Sequence, residues 1–330
     1  MLKVLKPIAL TDAMLYSHSM PEADHAAWVS ATAYTVGTRV IRASTHRIYQ
    51  CAVAATTADT TPPESDAAHW VEVGPTNRWA MFDQRVSTAT VGNASGLSVV
   101  LKPVGRCNGL ALMDLVNVRS CTVTVSWPQT GGSNSTKTEE YAYGITQTTV
   151  TTATQVTVTF DITLTNRNVS NWTEFFLEPF AIKTDAFVGF PSRANTTITL
   201  TMPAPDAGDA PPQIGALMFG NFIELGDTGY GVSAGAESYT KINTDEWGIS
   251  TITERDYVKR VQYPVTVPNY GIRRAFSALA EIKSEPAVFV GSDDYRYTPF
   301  TVYGLVEDFS LGLEFSTYSI VNVTVKGIQL

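Results

Sequence analysis

The sequence has few charged residues, and among them the basic ones are the minority. Charged side chains make up 16% of the 330 residues, and 23 Lys and Arg stand against 31 Asp and Glu, which gives a net charge of −8. Proteins that bind nucleic acid or anionic membranes do so through clustered Lys and Arg, and no such cluster is present. We therefore expect no nucleic-acid partner, whereas an uncharged glycan or another protein surface stays open.

Cysteine and long apolar runs are also scarce. Three scattered cysteines, Cys51, Cys107 and Cys121, are too few for a disulfide framework and lack metal-site spacing, so we interpret them as small buried apolar residues. The apolar runs are far shorter than the ~20 residues of a membrane-spanning helix. Pro7 interrupts the stretch that a signal peptide would need. We expect neither membrane insertion nor a secretion signal.

What replaces charge is mostly threonine and valine, in a chain that is 44% hydrophobic. Both residues are β-branched and fit a pleated surface better than a helix. Apolar residues alternate with polar ones along three stretches, residues 121–127, 155–164 and 196–202. Alternation of this kind is typical of antiparallel sheets with one buried face. The sequence therefore predicts an all-β, mainly antiparallel fold with a β-sandwich or jelly-roll-like domain.

Shifts in composition divide the chain into three predicted domains. Residues 1–75 hold spaced aromatics and form a small β-module, residues 76–213 form the Thr/Val-rich sandwich, and residues 214–330 form a C-terminal β-rich domain. One helix is predicted near 272–284, because the apolar residues of Ile272–Ile282 recur at steps of three and four and Pro286 follows.

Sequence patterns for catalysis are weak. Gly231–Gly235 matches the G-x-S-x-G nucleophile elbow, but that motif needs a preceding strand, a following helix and a later histidine. All four histidines precede the serine, and their spacing is not that of a zinc site: His18, His25, His46 and His69. We interpret Gly231–Gly235 as a small-residue loop.

Two pairs of neighbouring carboxylates, Glu139–Glu140 and Asp293–Asp294, would point to opposite faces of a strand. We therefore expect no catalytic residue, metal ion or cofactor, and we predict that the chain is not an enzyme.

The most informative stretch is the aromatic one at residues 28–74. Trp28, Tyr34, Tyr49 and Trp70 are spaced over three short strand candidates, and a module this small gains apolar contact through large rings. A flat ring also offers an apolar platform to the C–H face of a sugar. These four residues are the carbohydrate-binding candidates, with burial in the module's own core as the alternative for each.

The pattern Trp…Tyr-x-x-Gly-x-x-Val…Tyr…Pro…Trp at residues 28–74 resembles the chitin-binding-like modules of carbohydrate-binding families 5 and 12. Gln50-Cys51 stands where those modules carry a further tryptophan. The resemblance implies a three-stranded, glycan-binding module.

The stretch Gly-Pro-Thr-Asn-Arg-Trp-Ala-Met-Phe-Asp at residues 74–83 follows this module. It resembles a segment of tailed-bacteriophage tail and tail-fibre proteins, and residues 215–231 continue the resemblance more loosely. We interpret five of its residues as candidates for docking the module onto the sandwich: Asn77, Arg78, Trp79, Phe82 and Asp83.

The resemblance implies a non-enzymatic tail component of a virion, a tail fibre, baseplate or tail-tip part. It would assemble with other tail proteins and with copies of itself, in threes or sixes, and its module would bind a host-surface glycan or act as an adaptor. Two alternatives stay open: a tail-associated polysaccharide depolymerase, and a purely structural tail protein without sugar binding.

Overall fold

The computed structural model describes residues 1–54, 60–85, 87–142, 144–165, 184–244, 246–247, 250–255, 257–292, 300–312 and 315–328. In chain order the strands are β1 (Leu2–Pro7), β2 (Leu15–His18), β3 (Arg39–Arg42), β4 (Arg47–Cys51), β5 (Trp70–Pro75), β6 (Thr90–Val91), β7 (Leu97–Leu101), β8 (Cys107–Val116), β9 (Ser120–Pro128), β10 (Ser135–Ala142), β11 (Ile145–Thr151), β12 (Gln155–Thr163), β13 (Ala186–Arg193), β14 (Thr197–Met202), β15 (Gln213–Thr228), β16 (Ser233–Ser238), β17 (Lys241–Thr244), β18 (Ser250–Thr253), β19 (Tyr257–Pro268), β20 (Ala287–Val290), β21 (Thr301–Gly312) and β22 (Tyr318–Gly327). One α-helix, α1 (Ile272–Ile282), and three 3-10 turns, Pro63–Ser65, Ala80–Phe82 and Asn269–Gly271, complete the described elements. The ladders between these strands are antiparallel, which confirms the predicted fold class.

A seven-stranded sheet in the order β10-β11-β12-β9-β14-β7-β2 forms one layer of a sandwich. Its strands β9, β12 and β14 alternate buried and open residues, as the sequence pattern predicts. Their buried side chains form one apolar core with side chains of β8, β13 and β15 in the facing sheet. The sandwich therefore pairs a Thr-faced outer surface with a Val- and Leu-rich inner one.

The facing sheet runs β13-β8-β15-β1-β20-β21-β22-β19-β16 and closes on itself. The end of the 16-residue strand β15 pairs with β19 through Asp227–Thr266 and Thr228–Val265, so six strands from β15 to β19 form a ring around a second core. Strand β15 belongs to the sandwich in its first half and to the ring in its second. Consequently the segments 76–213 and 214–330, predicted as separate domains, share one sheet.

Helix α1 lies where the sequence predicts it and covers part of the ring's core. Ala275, Ala278, Leu279 and Ile282 are buried on one face. Phe276 stays half exposed and meets Phe309 in an edge-to-face contact with 5.4 Å between ring centroids. Three- and four-residue steps between the buried positions give the helix a single apolar face. Among the described residues, no helix is both long and apolar enough to cross a membrane.

The aromatic module is a three-stranded sheet, β3-β4-β5. It does not include the first residues of the predicted 1–75 domain. Strand β1 pairs with β15 and β20 in the ring, and β2 pairs with β7 in the sandwich. The chain thus passes from the body, meaning the sandwich and the ring, into the module after β2, and it returns to the body after β5.

A ribbon of paired strands projects from the edge of the ring. Strand β16 pairs with β19, and the β17–β18 hairpin continues in the same direction, joined to it by Thr240 and Arg255. Residues Ser233–Gly235 of the G-x-S-x-G stretch are part of β16. The small-residue loop expected there is therefore wrong, and the residues directly after the serine continue strand β16 instead of forming the helix that a nucleophile elbow requires.

Candidate functional site

The core of the aromatic module is built from two of the four candidate rings. Tyr49 on β4 and Trp70 at the start of β5 are 6% and 4% exposed and pack with Val40 and Cys51. Tyr49 alternates with outward residues along β4, and Trp70 lies opposite Cys51 in the ladder. Neither ring presents a flat face to a ligand.

Trp28 is half-buried at the border of this core. The guanidinium of Arg42 lies 4.9 Å from the centre of its indole ring, and the same guanidinium donates two hydrogen bonds, of 2.9 and 2.7 Å, to the carboxylate of Glu64. The indole Nε1 is enclosed without a hydrogen-bond partner. One face of Trp28 is thus occupied by a cation held in place by an acid.

Tyr34 is also half-buried, and its hydroxyl is already engaged. The hydroxyl accepts a hydrogen bond from the Val29 backbone N–H at 2.8 Å and lies 3.3 Å from the Val29 carbonyl. Its ring meets Trp70 edge-on at 5.1 Å. Of the four candidate rings, Trp28 and Tyr34 are therefore the two that keep surface open to solvent.

Around these rings, the large apolar side chains that the described part of the module exposes are all valines: Val29, Val36, Val53, Val71 and Val73.

Docking of the module centres on His46, in the turn between β3 and β4. Its Nδ1 lies 3.0 Å from Glu22 Oε1 and its Nε2 lies 3.1 Å from Asp12 Oδ1. Both acids flank β2, whose neighbours Met14 and Met20 are buried in the sandwich core. Thr76 adds a 3.0 Å hydrogen bond to Glu22. The three contacts fasten the module's turn to the start of the sandwich.

Asn77 is the first of the five predicted docking residues. Its side chain makes two hydrogen bonds with the Val91 backbone. Asn77 Nδ2 donates to the Val91 carbonyl at 2.9 Å, and the Val91 N–H donates to Asn77 Oδ1 at 2.8 Å. Its own N–H donates to Asp24 at 2.7 Å. Asn77 therefore ties the segment after the module to β6 and to the segment before the module.

The other four docking candidates surround the same junction. Trp79 and Phe82 are half-buried against the sandwich core and meet edge-on at 6.0 Å. Asp83 accepts hydrogen bonds from the Arg85 N–H and the Thr88 hydroxyl. Arg78 Nε is enclosed without a hydrogen-bond partner. Burial, and then the charge of Arg78, lower the pKa of His18.

Sequence reasoning missed His46, Glu22 and Asp12 as site residues. They lie 10 to 34 positions apart, and no spacing rule joins a turn histidine to acids on either side of another strand. The one local signal is the turn itself, where His46 adopts a φ of +55°.

The described residues hold no group of three or more His, Cys, Asp or Glu arranged for a metal ion. Glu139 and Glu140 lie on β10, and Asp293 and Asp294 fall outside the described residues.

A cavity of about 140 Å³ has Asp185 and Lys259 in its lining, and burial raises the pKa of Asp185. Ligand sites usually have several hundred Å³, so this cavity is small for a polysaccharide.

The chain matches no family model, and comparison with curated proteins and with solved structures found no match.

Proposed function

We propose that this chain is a non-enzymatic structural component of a bacteriophage tail, a fibre, baseplate or tail-tip part of the virion. In this role it assembles with other tail proteins and with copies of itself, in threes or sixes. The docked aromatic module serves as a glycan-binding or adaptor unit for host attachment. The motif at residues 74–83 and the projecting ribbon support this function.

The ribbon is the observation that carries the assembly role. Strands β16 and β18 are exposed along their whole length, and Ile242 and Ile252, opposite each other in the hairpin, are 63% and 61% exposed. An isolated two-stranded ribbon is marginally stable in water. A surface on another protein would bury these side chains and order the ribbon.

The module's geometry supports an adaptor role more directly than a sugar-binding one. Tyr49 and Trp70 are buried in the module's own core, and the hydroxyl of Tyr34 is hydrogen-bonded to the Val29 backbone. Trp28 and Tyr34 remain as saccharide contacts, and their weak binding would be multiplied by several copies in one virion.

Location in the virion tests the proposal. Antibody raised against the purified chain is applied to phage particles in immunogold electron microscopy, and purified particles are analysed by mass spectrometry. We expect the chain in intact particles and gold at the tail. Absence from particles, or label on the head, contradicts the proposal.

Glycan binding is tested separately by a glycan array and by adsorption to host cells. We expect Trp28→Ala and Tyr34→Ala to lose binding, whereas Val36→Ser, at an exposed position of the same module, keeps it. Equal binding by all variants would remove Trp28 and Tyr34 as the binding residues, and no binding by the parent chain would leave the purely structural tail protein. Loss of polysaccharide mass on incubation with the chain would establish the depolymerase instead.

A further inference from the structure

Strand β16 is an open edge of the ring sheet. One side pairs with β19 from Ser233–Gln262 to Ser238–Tyr257, and no strand in the described part of the chain pairs with the other side. The strand reads Ser-Ala-Gly-Ala-Glu-Ser, and all six residues are exposed. An open edge presents a row of backbone N–H and C=O groups that another strand can pair with.

The other edges of the two large sheets carry features that disfavour such pairing. Strand β10 carries Lys137, Glu139 and Glu140 at exposed positions, and charged side chains on an edge strand disfavour pairing with another strand. Strand β13 contains Pro191 within a register shift, and β2 has only four residues. Of the edges of the two large sheets that the structure describes, β16 alone is a regular strand of more than four residues without proline or lysine.

We propose that β16 pairs with β16 of a second copy of this chain, antiparallel and about a twofold axis. With the axis between Gly235 and Ala236, Glu237 lies opposite Ala234 of the other copy, so like charges do not meet. Glu237 is moreover neutralised within its own chain, since Lys326 Nζ lies 3.0 and 3.1 Å from its two carboxylate oxygens. The contact is self-complementary, as a twofold interface must be.

The same register accounts for exposed apolar groups on either side of β16. Antiparallel pairing carries the β17–β18 hairpin of one copy toward the turn that precedes β16 in the other. Tyr230 in that turn is fully exposed, and Ile242 in the hairpin is 63% exposed. Counted along the chain, this register sets Tyr230 opposite Lys241 and Gly229 opposite Ile242, so both exposed side chains fall within the contact between the two copies.

Charge substitution at the axis tests the pairing. In the doubly substituted chain Gly235→Lys/Ala236→Lys, each lysine faces a lysine of the second copy, and Gly235→Glu/Ala236→Glu does the same with glutamates. A side chain is tolerated at Gly235, because an added Cβ meets only the Arg260 carbonyl at 3.9 Å. The control is Thr136→Lys/Thr138→Lys on β10, which adds the same charge to another exposed strand.

The readout is mass by light scattering after size exclusion, over a concentration series. We expect the parent chain and the control to associate with rising concentration. Each charged variant should associate roughly tenfold to 100-fold more weakly. Mixing the lysine and glutamate variants places opposite charges across the axis and restores the contact. Restoration in the mixture also shows that both variants are folded.

A parent chain that stays monomeric, charged variants that associate like the parent, or a mixture that fails to associate would each overturn the pairing. The inference rests on the proposed function in one respect: the contact is a self-contact of the proposed assembly, and it fits an arrangement of six copies with twofold axes but not a ring of three. The two fail separately, since association unaffected by β16 variants removes the pairing alone, whereas absence of the chain from tails removes the proposed function.

Discussion

The imidazole of His46 lies flat against the indole of Trp79, with ring centroids 3.9 Å apart and an interplanar angle of 16°. His46 belongs to the aromatic module, whereas Trp79 packs against the sandwich core. The stacked pair, together with Glu22 and Asp12 at the two ring nitrogens, therefore fixes the position of the module relative to the body.

Replacing Trp79 by alanine should loosen this junction. The change removes the stack on His46, the edge contact with Phe82 and apolar area packed on the core. Because the ring is half-buried, we expect a loss of about 2–3 kcal/mol in unfolding free energy, below the range for a fully buried tryptophan. Urea unfolding measures the loss. Tyr270→Ala, at a ring that is 93% exposed, is the control, and an equal effect of both changes would contradict the role of Trp79.

His18 makes stability depend on pH. Burial, and then the charge of Arg78, lower its pKa from 6.5 to about 4. Its Nδ1 accepts the Met20 N–H at 2.9 Å, which requires that nitrogen to be unprotonated. Between pH 6.5 and 4, His18 is protonated in the unfolded chain but neutral in the folded chain. The free energy of unfolding is therefore highest above pH 6.5 and falls by up to about 3 kcal/mol as the pH drops to 4.

His18→Asn tests this linkage, because the amide oxygen can accept the same N–H. We expect a flatter dependence of unfolding free energy on pH from 7 to 4 than in the parent chain. His25→Asn, the same substitution at another histidine, is the matched control. If the unfolding free energy of His18→Asn changes with pH as steeply as that of the parent chain, the pH dependence belongs to other groups.

Local periodicity was enough to predict the elements whose buried faces are built from near neighbours. Helix α1 and strands β9, β12 and β14 bury residues at steps fixed by their own geometry, so a short window contains the whole signal. The closure of the ring has no such signal. Asp227 and Thr266 are joined across the chain by a ladder of two pairs, and nothing near either residue indicates the other.

The candidate site shows the same division. The aromatic pattern predicted that Trp28, Tyr34, Tyr49 and Trp70 belong to one small module, and they lie together. Which ring faces inward depends on strand register and on cover from distant residues, such as Arg42 held over Trp28 by Glu64. Sequence spacing carries no information on that cover.

The three cysteines should be inert in the folded chain. Cys51, Cys107 and Cys121 are buried, and burial raises the pKa of Cys107 to about 11 and that of Cys121 to about 12. Since the thiolate is the reactive form, we expect no labelling by iodoacetamide at pH 8 and labelling of all three in urea, measured by intact mass. A Ser133→Cys variant, in an exposed loop, should label once when folded. Labelling of native Cys121 would contradict its enclosure.

Two glycines with the same backbone conformation should differ in their tolerance of a side chain. Gly96 and Gly208 have φ values of +92° and +93°, in the left-handed region that disfavours other residues. An added Cβ at Gly96 would collide with the carbonyl oxygen of Met202, whereas at Gly208 it would meet nothing within 4 Å.

Gly96→Ala therefore combines backbone strain with displacement of β14 from the turn before β7, and Gly208→Ala has the strain alone. We expect a loss of about 1 kcal/mol for Gly208→Ala and roughly 3 kcal/mol or more for Gly96→Ala in urea unfolding. Equal losses would mean that the turn at Gly96 moves away from Met202 at no cost, which would contradict a tight contact between this turn and the end of β14.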